Sequence, residues 1–199
     1  MDPNQRDPGF ARFAFTVITI ALVVVTLGLT AIYYVFQAGG PATTGRAANI
    51  LRNRPSLPPN QAMLYYTKDG KQLVGSPVTL GELGMDPTEK ARRIVVALLE
   101  GERNVGMKSA IPEGTSMKTI FINDKEVVVN LSSQMVSNLH GGVDAEVLAV
   151  YAVVNSLLFN IDGVDSVQIL IEDEKLPTLG GNVDISVPLI ANAAITRTG

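Results

Sequence analysis

GVDAEVLAVYAVVNSLLFNIDGVDSVQILIE, residues Gly142 to Glu172, decides how this chain folds. Val147, Val150, Tyr151, Val154, Leu157 and Leu158 recur at helical spacing, and Leu148 and Val153 widen the apolar face. A helix apolar nearly all round is buried rather than laid on a surface. At about 16 residues it is too short to span a hydrocarbon core. Asp144 is placed to cap its start. Asn160 to Gly163 turns the chain into Ser166–Ile171, where Val167, Ile169 and Ile171 alternate with Gln168 and Leu170. Leu170 on the second face predicts a central strand. The stretch therefore reads as buried helix, tight turn and core strand. Asn155-Ser156 is the polar exception, expected to satisfy a backbone group beside the sheet; holding a ligand is the alternative.

Working toward the N-terminus, Lys118–Ile122 and Glu126–Leu131 form a predicted hairpin about the polar tip Asn123-Asp124-Lys125, with Val127, Val129 and Leu131 on one face. Ser132–Leu139 follows as a short amphipathic helix broken by His140-Gly141-Gly142. Asn130-Leu131-Ser132 matches a glycosylation sequon, a pattern too common to assign. Upstream, Asp86-Pro87-Thr88-Glu89 is a helix start with a cap, a proline at the first helical position and capping-box spacing. Ala91, Ile94, Val95, Leu98 and Leu99 make one apolar stripe, and Gly101 ends the helix. Ala62–Tyr66 and Lys71–Val74, joined by Lys68-Asp69-Gly70, are the first strands. Beyond Glu172, Leu179–Ile185 is read as a last short strand. Strand, helix, two strands, helix and strand describe an α+β domain over 62–190: a compact sandwich with helices on one face of a mixed sheet. Residues 191–199 are read as a tail.

Before that domain, Phe13–Phe36 (FAFTVITIALVVVTLGLTAIYYVF) holds no charged residue. At 1.5 Å per residue it gives about 36 Å of helix, against about 30 Å of bilayer core. Thr16, Thr19, Thr26 and Thr30 can return their hydroxyls to helix carbonyls, and Tyr33 and Tyr34 suit an interface. It is expected to be an uncleaved signal anchor, preceded by a short cytoplasmic tail, 1–12. Flanking arginines are balanced and do not set the orientation. The signal-anchor layout does, placing the domain outside the cytoplasm at the cell membrane. The Gly- and Pro-rich stretch 37–61 is a linker stiffened at Pro55, Pro58 and Pro59.

Composition removes much chemistry. The 199 residues carry no cysteine and one histidine, His140, with a net charge of −3. Disulfides, thiol catalysis and cysteine zinc sites are excluded, and no basic stripe invites nucleic acid. The loop GERNVGMKS, 101–109, mimics a phosphate loop. Met107 stands where its lysine belongs, and a helix precedes it where a strand is needed. Glu113, Asp144 and Glu172 lack a recognisable base or nucleophile, so no catalytic, cofactor-binding or metal-ligating residue is assigned.

Leu98-Leu99-Glu100-Gly101, Ser109-Ala110-Ile111-Pro112-Glu113-Gly114-Thr115 and Val129-Asn130-Leu131-Ser132 together resemble the GerMN domain family of sporulation and germination proteins. The resemblance continues through Glu146, Val153–Leu157, Val164–Ile171, Gly181–Ser186 and Pro188-Leu189. The family favours Asn-Thr-Leu where this chain has Asn155-Ser156-Leu157, and Asp-Phe-Ser where it has Asn130-Leu131-Ser132. The first change keeps a hydroxyl. The second loses a carboxylate and an aromatic ring. Many members carry a lipidated cysteine or two domain copies; this chain offers a transmembrane segment and one copy. The resemblance implies a non-catalytic, cofactor-free envelope module that assembles with itself or with other envelope proteins. Cell-wall or small-ligand binding, through the Pro112–Gly114 loop and Asn155, is the alternative.

Overall fold

The computed structural model describes residues 21–28, 30, 56–81, 86–101 and 106–197. Contacts divide the chain into two units, Met1–Thr44 and Gly45–Gly199. In the first, residues 21–28 and 30 are helical. Thr26 and Thr30 donate their hydroxyls to carbonyls three and four residues back, all at 2.9 Å, as expected for threonines in an apolar helix. Among the described residues no helix is long and apolar enough to cross a membrane. The rest of the predicted span Phe13–Phe36 lies outside them, as do 1–12 and most of the linker.

The second unit is α+β. In chain order its elements are β1 (Gln61–Thr67), β2 (Leu73–Thr79), α1 (Pro87–Glu100), β3 (Met117–Asn123), β4 (Glu126–Leu131), α2 (Gln134–Ser137), α3 (Gly142–Leu158), β5 (Ser166–Ile171) and β6 (Thr196–Arg197). The strands make two mixed sheets rather than one, ordered β1-β2-β6 and β3-β4-β5. In each, the first pair is antiparallel and the second parallel. The expectation of helices on one face of a single sheet is corrected accordingly. α1 packs on β1 and β3, α3 on β1 and β5, and the helices on each other, so the helix pair bridges two sheets. Strand alternation fixes which side chains face a core; it does not say which strands pair across an intervening helix.

Local chemistry explains the elements. Asp86 accepts from Thr88 N–H at 3.3 Å and Glu89 N–H at 3.1 Å, and Pro87 opens α1. Glu89 does not complete the box: its carboxylate turns along the helix toward Arg92 and Arg93. Gly101, at φ +88°, ends α1 in a conformation other residues rarely adopt. Ala91, Ile94, Val95 and Leu98 are buried as the stripe predicted, and Leu99 is half-buried. α3 is buried nearly all round. Its cap is Gly141 without a side-chain bond, and Asp144 sits inside the first turn, correcting its assignment as the cap. There its charge still suits the positive end of the helix dipole.

β4, not β5, is the central strand of the second sheet. β5 is flanked instead by a bridge between Val167 and Leu189, and Leu170 is half-buried on the far face. Leu179–Ile185 is an irregular loop rather than a strand. The domain also runs on past residue 190. Ala191 is buried, and β6 pairs with Leu73 and Val74.

Candidate functional site

Four polar side chains on and just after α3 organise the domain. The Asn160 amide pairs with the backbone of Met63, accepting its N–H at 2.8 Å and donating to its carbonyl at 2.7 Å, while also donating to Ser156 O at 2.6 Å. The Ser156 hydroxyl accepts from Tyr65 N–H at 3.1 Å. Thr67 exchanges both backbone bonds with Lys108, at 3.0 and 2.7 Å. Met63, Tyr65 and Thr67 alternate along β1, so a helix and a loop occupy the edge where another strand would lie. Asn155 accepts from Asn192 N–H at 3.0 Å and donates to Asn192 O at 2.9 Å, fixing the C-terminal segment. The expectation that Asn155 serves backbone is met, and the hydroxyl kept at Ser156 has a defined use.

Glu146 is the least expected member. It is fully buried. Its Oε1 accepts from Leu179, Gly180 and Val183 N–H at 3.1, 2.9 and 3.2 Å; its Oε2 accepts from Asn182 N–H and Nδ2 at 2.9 and 2.7 Å. Desolvation alone would raise its pKa, but the donors from Gly180, Asn182 and Val183 outweigh it and hold the carboxyl below its ordinary value. A Cβ on Gly180 would stand 3.2 Å from Glu146 Oε2, so a small residue suits this approach. A carboxylate on the buried side of an otherwise apolar helix was the signal available in the sequence.

A second polar cluster ties β3 to the end of β5. Glu172 Oε1 accepts from Ser133 N–H at 2.8 Å, before α2, and Oε2 pairs with Lys118. The Lys118 bond, then the Ser133 N–H, lowers the Glu172 pKa. Glu172 and Asp173 both have positive φ, 52° and 71°, in a tight turn closed by Ile171 and Glu174. Asn130 accepts from Asp173 N–H at 3.0 Å, donates to its carboxylate and is 1 % exposed, so the sequon asparagine is unavailable as it stands.

The two halves of the suggested ligand site have different partners. The Pro112–Gly114 turn is closed by Thr115, whose hydroxyl donates to Pro112 O at 2.7 Å, and is held by Asn138 Nδ2 on Glu113 O at 2.8 Å. Asn155 is engaged with Asn192, and neither half lines either of two clefts among the described residues. One cleft, about 480 Å³, lies between β2 and α1: Tyr66, Val78, Leu80, Val96 and Ala97 supply apolar surface, and Glu89, Arg92, Arg93 and Glu100 supply charge. A smaller one, about 260 Å³, is lined by Ser56–Pro59, Phe159 and Asp162 among others. Tyr65 packs its ring on Phe159 at 5.3 Å, and burial pushes its phenol up to about 12. Among the described residues no three His, Cys, Asp or Glu side chains gather as a metal site. In the phosphate-loop mimic, Lys108 uses its backbone to pair with Thr67; residues 102–105 lie outside the described residues.

Comparison with known proteins decides the family. The model for Germane, described as sporulation and spore germination, matches residues 63–177, more than half of the chain. The chain belongs to the Germane (GerMN) family. Among solved structures, the first GerMN domain of the sporulation protein GerM from Bacillus subtilis matches with a TM-score of 0.51 at 17% identity, over 65% of this chain and 96% of that one. The tandem GerMN domains of the same protein match with a TM-score of 0.51 at 15% identity, over 65% of this chain and 45% of that one. At these identities the likeness is one of fold. No curated protein matches the chain. The Germane match takes in β1 from Met63 onward, β2 to β5 and the helices, but stops before Asn182, Asn192 and β6, which here complete the domain.

Proposed function

We propose that this chain is a membrane-tethered, non-catalytic assembly module of the bacterial cell envelope, with its GerMN domain outside the cytoplasm. The observation that carries this reading is the commitment of the α3 polar side chains. Glu146, Asn155, Ser156 and Asn160 are all engaged with backbone, holding loops and a strand edge. They act as supports, which leaves the loops, sheet edges and outer sheet faces to meet partners. Family membership supports a place in sporulation- or germination-related envelope assemblies. The tether is Phe13–Phe36, supported by its uncharged sequence and by helical residues whose Leu22, Val23, Val24, Val25 and Leu27 side chains face outward. A single span there tethers the domain to one side of the bilayer.

Crosslinking through exposed lysines such as Lys68, Lys71 and Lys175 in intact cells tests the proposal. Adducts with further copies or with envelope proteins are expected; monomer alone contradicts it. The cleft between β2 and α1 favours one second reading, a cell-wall or small-ligand binder. Incubation of the chain with purified wall fragments separates the two, because co-sedimentation in the absence of protein partners supports only the second.

A further inference from the structure

The sheet edges of this domain are treated unequally. β1 is covered by Asn160, Ser156 and Lys108; β2 receives β6 along Leu73 and Val74; β5 is bridged by Leu189. Among the described residues, nothing pairs with the outer edge of β3. Native folds commonly block such an edge with charge, proline or a bulge. β3 has a bulge, but at Lys118, between Met117 and Thr119, and that lysine is drawn onto Glu172. The following stretch, Thr119–Asn123, holds no charge and no proline.

Register determines what this edge offers. Asn123 and Glu126 flank a two-residue turn as partners, which makes them a mutually hydrogen-bonded pair. Alternation then directs the backbone of Phe121 and Thr119 toward β4 and that of Ile120 and Ile122 outward. Two N–H groups and two carbonyls therefore face away from the sheet. Phe121, between them, is 48% exposed on the sheet face opposite the core.

We infer that this edge binds a second copy of the chain, through antiparallel pairing of β3 with β3 about a two-fold axis at Phe121. In that register Ile120 faces Ile122 of the second copy and Ile122 faces Ile120, so all four outward groups on each strand find partners. Phe121 faces Phe121 at the closer, non-hydrogen-bonded position, where aromatic cross-strand pairs are favourable. Thr119 faces Asn123, and the ends bring Lys118 toward Asp124, opposite in charge. No like charges meet along the strand. Two three-stranded sheets become one of six strands. The contact is small, and attachment to one membrane surface raises the local concentration that such a contact needs. The inference rests on the assembly reading above but specifies a surface and register that can fail separately.

The absence of cysteine makes the test direct. Single variants T119C, F121C and N123C of the full chain are placed at exposed positions and produced in membranes, singly and as a T119C plus N123C mixture, then oxidised with diamide. Facing positions of an antiparallel pair bring Cβ atoms within disulfide reach, whereas positions displaced along the strand do not. F121C and the mixture are expected to give disulfide-linked dimer, and T119C and N123C alone to remain monomeric. F121K, which sets two ammonium groups against each other, is expected to abolish lysine crosslinks between copies while leaving the thermal unfolding transition in place. Monomer from F121C, equal dimer from all single variants, or a mixed disulfide with a different protein in place of dimer overturns the inference. Monomer from F121C with lysine crosslinks retained overturns the β3–β3 pairing and leaves the assembly reading standing.

Discussion

The side-chain amide of Asn160 pairs with both backbone groups of Met63, at 2.8 and 2.7 Å, in the manner of a neighbouring strand. The residues are 97 positions apart, and the pair joins the end of α3 to the edge of the first sheet. Asn160→Ala leaves the part-buried N–H and carbonyl of Met63 and the buried carbonyl of Ser156 without this partner. Water can reach the Met63 groups in part, so the loss is about 2–3 kcal/mol, the scale of one fully unsatisfied group. Chemical denaturation of the variant should show that loss as a lower midpoint at unchanged slope.

Glu146 should behave similarly, with a pH signature. Glu146→Gln replaces one accepting oxygen by a donor among five donors and should cost about 2–3 kcal/mol near neutral pH. The folded-state pKa is lowered from an ordinary value of 4.5. A lowered carboxyl binds fewer protons folded than unfolded around that value, so its stabilisation is present above about 4.5 and is lost as pH falls through the folded pKa. The stability gap between wild type and Glu146→Gln should therefore narrow below about pH 4.5. A gap constant from pH 7 down to pH 3 contradicts this role for the charge.

Asp86 provides a simpler case. Its two cap bonds predict that Asp86→Ala costs about 1 kcal/mol, and that Asp86→Asn costs only a few tenths, because asparagine keeps an accepting oxygen. Thermal unfolding of both variants checks the order.

Topology can be read with one introduced thiol. Glu113 is exposed beside Gly114, and the chain has no cysteine of its own. A membrane-impermeant maleimide should label Glu113→Cys in intact cells if the domain lies outside the cytoplasm. Labelling only after lysis contradicts that placement.

The parts legible in the sequence are those governed by local rules. Asp86-Pro87 announced α1, the polar tip at Asn123–Lys125 announced the β3–β4 hairpin, and the apolar run after Gly142 announced a buried helix followed by a strand. The split into two sheets was not legible, because α1 intervenes between β2 and β3 and alternation carries no pairing information. Asn160 read as a turn residue, since its partner Met63 is remote in sequence. Ala191–Arg197 read as a tail because two short strand residues have no periodicity; only Asn155 and β2 reveal their place. The buried carboxylate of Glu146 was not picked out within the helix, where Asn155-Ser156 stood as the polar exception, and its five donors lie in a loop that resembled a strand.

Native-state amide hydrogen exchange tests most directly the claim that α3 closes one edge of the domain while β3 stays available. The N–H groups of Met63 and Tyr65 point away from β2 and donate to the Asn160 and Ser156 side chains. They should exchange as slowly as amides inside the sheets. The outward amides of Ile120 and Ile122 should exchange quickly in dilute, detergent-dispersed protein and slowly when the chain is concentrated in membranes. Exchange at Met63 and Tyr65 as fast as in the Lys68–Gly70 loop, or protection at Ile120 and Ile122 independent of concentration, contradicts the account.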